Sequence, residues 1–122
     1  MPIPRALTAA ALVVSFAGAG APAAAHHGWA DYGQDEFALT GVVEAANLGG
    51  PHGRLRVRAQ GGVWDVVLAP PRAIERSGLT ARAVPVGARV TARGHRHNQR
   101  LEMKTERLVA GGRTFDLYPS RP

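Results

Sequence analysis

Five histidines and no cysteine bound the chemistry open to this 122-residue chain. Thiolate metal sites and disulfides are excluded, and neutral imidazole, which binds Zn, Cu and Ni well, is the natural ligand. The candidates are His26, His27, His52, His95 and His97. His26 and His27 follow the small-residue run Ala23-Ala24-Ala25. A cut after Ala25 makes His26 the first residue, whose free amine and ring chelate Cu(II), and a further histidine then completes a three-nitrogen set. A cut after Ala24 makes His27 the third residue. The amine, two deprotonated amides and the imidazole then supply four nitrogens in a square plane, the preferred arrangement of Cu(II) or Ni(II). The competing reading is that a terminal His-His pair binds stray copper without having been selected for it. His95 and His97 lie two residues apart, so a strand places both rings on one side. They are weaker metal candidates, because Arg93, Arg96 and Arg100 beside them disfavour a dication, and the preferred reading of them is a solvated hairpin tip. His52, between Pro51 and Gly53, is a ligand if its loop reaches the amino terminus and otherwise a turn residue satisfied by backbone.

The segments that must present these residues begin with an export signal. Arg5 is followed by an uncharged run to Ala25, with its bulky residues in Leu7–Phe16 and Gly18, Gly20 and Pro22 before the small-residue end. That order is a secretory signal over residues 1–25; its bulky part is short for a membrane span, which wants about 20 apolar residues. The expected location is periplasmic or secreted, with no transmembrane span after processing. Removing residues 1–25 from 122 leaves 97, one domain. Removing Arg5 lowers the formal charge from +6 to +5, and the arginines are spread along the chain, so this charge reads as a solvated face. Export and the shortage of aromatic residues for base stacking argue against nucleic acid as partner.

Residues 26–36 form an irregular lead-in, with Trp29 anchoring it. Alternation then marks strands. Phe37, Leu39, Gly41, Val43 and Ala45 share one face, and Leu55, Val57 and Ala59 point opposite to Arg54, Arg56 and Arg58. A third strand follows over Val63–Leu68. Pro70-Pro71 opens a short helix to Ser77, and Gly78 suits the left-handed residue after it. Val84, Val86, Ala88, Val90 and Ala92 alternate in a fourth strand, with Pro85 and Gly87 marking a turn at its entry. Leu101, Met103 and Thr105 alternate with outward Glu102, Lys104 and Glu106 in a fifth, with a bulge expected at Leu108-Val109. A last short strand spans Thr114–Tyr118, and residues 119–122 are read as a frayed tail. The fold expected is mainly β: a small OB-like barrel of five to six strands over 37–118, with one short helix between the third and fourth strands.

Ala25-His26-His27-Gly28-Trp29-Ala30 resembles the His-His-Ser-Phe-Ala start of a family of small exported bacterial proteins, catalogued only as a domain of unknown function. Asn47-Leu48-Gly49-Gly50-Pro51-His52 resembles that family's Asn-Pro-His turn with three residues inserted. Pro71–Leu79 and Val84–Val90 are similar to its helix and its Pro-Gly-Asp turn, with Ala88 in place of Asp. The resemblance spans nearly all of the mature chain and implies an OB-like barrel in the cell envelope, with no activity to carry over.

Catalysis has little support. Ser77 and Ser120 sit in no nucleophile elbow, and no His-Glu-x-x-His pattern occurs. The reading is an exported, non-enzymatic OB-like binding module, with Cu(II) at the histidine terminus as its most specific ligand. The alternative is an envelope adaptor that takes a protein or a small polar ligand, with no metal. The sequence leaves the oligomeric state open.

Overall fold

The computed structural model describes Pro2 and residues 29–121; the rest of the stretch expected to be an export signal and the His26-His27 pair lie outside the described residues. Six strands run β1 (Phe37–Asn47), β2 (Arg54–Ala59), β3 (Gly62–Val67), β4 (Arg89–Arg96), β5 (Glu102–Ala110) and β6 (Arg113–Asp116), with helix α1 (Pro71–Ser77) between β3 and β4. The sheet order is β3-β2-β1-β4-β5-β6. Parallel pairing of Asp65–Val67 with Glu102–Lys104 joins β3 to β5 and closes the first five strands into a barrel. This is the OB-like architecture expected, with β6 added to the far half of β5.

The apolar alternation puts Leu39, Val43, Leu55, Val57, Val66 and Met103 inside, each under 5 % exposed. The helix begins at Pro71, its first turn is preset by proline, and Gly78 closes it at φ 86°. Ile74 faces Gly53 so closely that a Cβ there would lie 2.4 Å from Ile74 Cδ1, so α1 plugs the barrel end at the β1–β2 loop.

Several expectations are corrected. Ala45 is exposed: the β1–β2 register shifts between Val43 and Ala45, and from Glu44 to Asn47 β1 has no buried face. The fourth strand starts at Arg89; Ala81–Ala83 is a 3₁₀ turn and Val86 is 74 % exposed at a turn tip. The β5 irregularity falls at Glu106, where Arg93 pairs with Arg107 but Gly94 pairs with Thr105. The tail does not fray as far as Arg121, whose carbonyl accepts a 3.0 Å hydrogen bond from Arg107 Nη2.

Candidate functional site

Alternation on β5 sends Glu102, Lys104 and Glu106 away from the core, yet all three are less than 9 % exposed. What covers them is the lead-in. Residues 29–34 cross the outer face of β4 and β5 as a strap, tied by Gly33 N–H to Arg96 O (2.8 Å) and Asn98 N–H to Asp31 O (2.9 Å), with a β-bridge between Tyr32 and His97. The Tyr32 hydroxyl donates to Glu102 Oε2. Burial, then this bond and the carboxylate's charge, push the phenol well above its ordinary range.

Trp29 is the strap's anchor, as its aromatic character leads one to expect. The Arg121 guanidinium lies 3.9 Å from its ring centre and Lys104 Nζ 4.6 Å, and the rings of Tyr118 and His95 meet it edge-on at 5.5 and 5.8 Å. Arg121 Nε also donates to Glu106 Oε1 at 3.2 Å, so the carboxy-terminal tail and the strap share one cover over β5. Burial, followed by the charges of Arg121 and Arg54, lowers the Lys104 ammonium from its usual range against the opposing pull of Glu102. A polar hollow of about 590 Å³ opens beside the strap between Trp29, Tyr32, Gln34, His95 and Arg121.

The structure separates the histidines. His95 and His97 do share a side, but beneath the strap and not on a solvated tip. His95 Nδ1 meets Gly33 O at 2.8 Å and Nε2 meets Glu106 Oε1 at 2.7 Å. Both ring nitrogens are thus engaged, one by backbone and one by a carboxylate, and neither faces an open position for a metal. His97, 6 % exposed, uses Nδ1 to accept the N–H groups of Gln99 (3.0 Å) and Arg100 (3.2 Å), which ties the β4–β5 turn. Its Nε2 meets Arg100 Nη2 at 3.2 Å, so that nitrogen is engaged as well. The His-x-His pair therefore latches the strap and shapes a turn.

His52 differs. It is half-buried in the β1–β2 loop, and its ring makes no hydrogen bond to another side chain or to backbone among the described residues. Burial, then the charges of Lys104 and Arg54, lower its pKa and keep the ring neutral with a lone pair free. Lys104 is the same cation that lies against Trp29. Among the described residues no three His, Asp or Glu side chains converge as a metal site. The buried row of Glu102, Lys104 and Glu106, with Arg121, does not stand out in the sequence; its signal is a charged stripe following an aromatic lead-in.

A family model described as a family of unknown function, DUF6152, matches residues 12–105. The chain belongs to the DUF6152 family. This agrees with the expected membership of a family of unknown function. No curated protein matches the chain. Among solved structures, a complex of TiaS with an isoleucine tRNA and ATP aligns with 62 % of this DUF6152 chain at 14 % identity and TM-score 0.49. The S. pombe Stn1–Ten1 complex aligns with 62 % at 20 % identity and TM-score 0.47. The aligned parts span 18 % and 57 % of those two chains. No helix among the described residues is long and apolar enough to cross a membrane.

Proposed function

We propose that this DUF6152 chain is an exported, non-enzymatic binding module, and that His26 and His27 of its mature amino terminus hold Cu(II) with His52 as the further histidine. The observation that carries the reading is His52: an imidazole uncommitted among the described residues, kept neutral by burial and by the charge of Lys104, the cation on which Trp29 packs. Trp29 is three residues from His26. An extended chain covers at most about 10 Å over that distance, so the terminal histidines stay in the neighbourhood of the strap's anchor. With His95 and His97 already bonded, His52 is the remaining histidine of the barrel able to donate a lone pair. The strap then acts as a mount that brings a processed terminus to the barrel.

The test is copper titration of tag-free protein recovered from the envelope, after intact mass has fixed its first residue. Submicromolar Cu(II) affinity is expected, weakened at least about tenfold by His26→Ala or His27→Ala, a loss of about 1.4 kcal/mol. Where His26 is the first residue, His52→Ala removes one nitrogen from the copper electron paramagnetic resonance pattern. Affinity that is micromolar or weaker and indifferent to these substitutions overturns the reading in favour of an adaptor without metal.

A further inference from the structure

The barrel carries a second feature, at the end away from α1. Residues Phe37–Gly41 of β1 pair with β4, but pairing with β2 begins only at Val42 opposite Arg58. Gly41 marks the fork: a Cβ there would lie 2.3 Å from Arg58 O, so the strands touch at this point and then part. The β2–β3 hairpin tip, held by the Trp64 indole N–H to Gln60 O at 2.7 Å, forms the other wall. Between them lies a groove of about 420 Å³, floored by Phe37, Leu39 and Trp64 and rimmed by Leu101, itself 37 % exposed.

Phe37 and Trp64 stack at 5.4 Å with 27° between planes, and the Arg96 guanidinium lies 4.8 Å from the Trp64 ring and 5.7 Å from Phe37. Arg96, like Arg56, Arg72, Arg76, Arg82, Arg89 and Arg113, makes no ion pair with any described carboxylate, and of these it is the one that lines this groove. A guanidinium held against aromatic faces keeps in-plane N–H donors, the fork that matches a carboxylate. Small-ligand sites are concave, mostly apolar, about 300–1,000 Å³, and oriented by few polar groups. This groove meets each condition, with Thr40 and Gln60 as additional polar walls.

We propose that this groove binds a small apolar or aromatic carboxylate, its body against Phe37 and Leu101, over the buried Trp64 indole, and its charge on Arg96. The site is separate from the strap and stands or falls independently of copper. The probe is 2-naphthoate, with neutral 2-naphthalenemethanol as comparison, read by the two tryptophan indole N–H resonances of the ¹⁵N-labelled protein. Naphthoate is expected to shift Trp64 and leave Trp29 in place, with a Kd below about 1 mM. Arg96→Met is expected to weaken naphthoate at least about tenfold, to leave the alcohol within about twofold, and Arg96→Lys to recover part of the loss. Retained spectral dispersion shows that each variant folds. No Trp64 shift at about 5 mM probe, equal affinity for acid and alcohol, or an Arg96→Met variant that binds as the parent does would each overturn the site.

Discussion

At the residue scale, hydrogen-bond inventory does the sorting that spacing does not. An imidazole offers two nitrogens, and what each one faces decides whether a lone pair remains. His95 faces two acceptors and His97 two backbone donors, so neither is left for a ligand, while His52 has an available lone pair because burial and two cations disfavour its proton. The same depression has a thermodynamic consequence. The unfolded chain takes up the His52 proton near the ordinary 6.5, the native state only at lower pH. Between those two values the unfolded state binds more protons, so stability rises with pH across that window and is lost as pH falls from 6.5 through the native value. Urea unfolding of the parent and His52→Asn at intervals from about pH 7.5 to 5 reads this directly. The parent should lose stability relative to the variant as pH drops, and a difference that is flat with pH contradicts the assignment.

At the element scale, the strap owes its place to β5. A strand of alternating charge and apolar residues is a sequence for one buried and one wet face, and by that rule Glu102, Lys104 and Glu106 read as wet. They are covered because Trp29–Gln34 brings two aromatic rings and a carbonyl to match a lysine, a carboxylate and a histidine. Tyr32→Phe removes one such match and leaves Glu102 with Arg100 at 3.4 Å as its remaining side-chain partner. The expected cost is about 1–3 kcal/mol. Amide exchange of Gly33 and Asn98, which tie the strap, should quicken about tenfold, while Leu55 and Val57 in β2 stay protected. Equal acceleration everywhere would mean global destabilisation and no strap as a unit. The strands and the helix are legible in the sequence because residues such as Leu55, Val57, Pro71 and Gly78 obey local rules. The strap is not, because residues 29–34 have no period and their partners lie about 70 residues away, as Tyr32 and Glu102 do. The groove is hidden for a similar reason: it lies between the start of β1 and the Gln60-Gly61 hairpin tip, and only the parting of β1 from β2 opens it.

At the scale of the whole molecule, a barrel this small without disulfides relies on a sealed core, and the strap and tail add an outer layer across one wall. That layer is made from residues near both ends of the described chain, joined where Arg121 stacks on Trp29 and binds Glu106. If the two ends act together, their substitutions cannot be independent. Trp29→Ala removes a half-buried indole that meets the rings of Tyr32, His95 and Tyr118 and the cations of Lys104 and Arg121. It is expected to cost about 2 kcal/mol, below the range for a fully buried tryptophan. Arg121→Ala removes the stacked cation and one partner of a buried carboxylate, for about 1–2 kcal/mol. The contact they share is lost in either single variant, so the double variant should be more stable than the sum of losses implies, by about 1 kcal/mol. Chemical denaturation of all four proteins closes this cycle. Losses that add to within about 0.3 kcal/mol would show two unconnected flaps, and the mount for the amino terminus would then have to rest on Tyr32 and His95 alone.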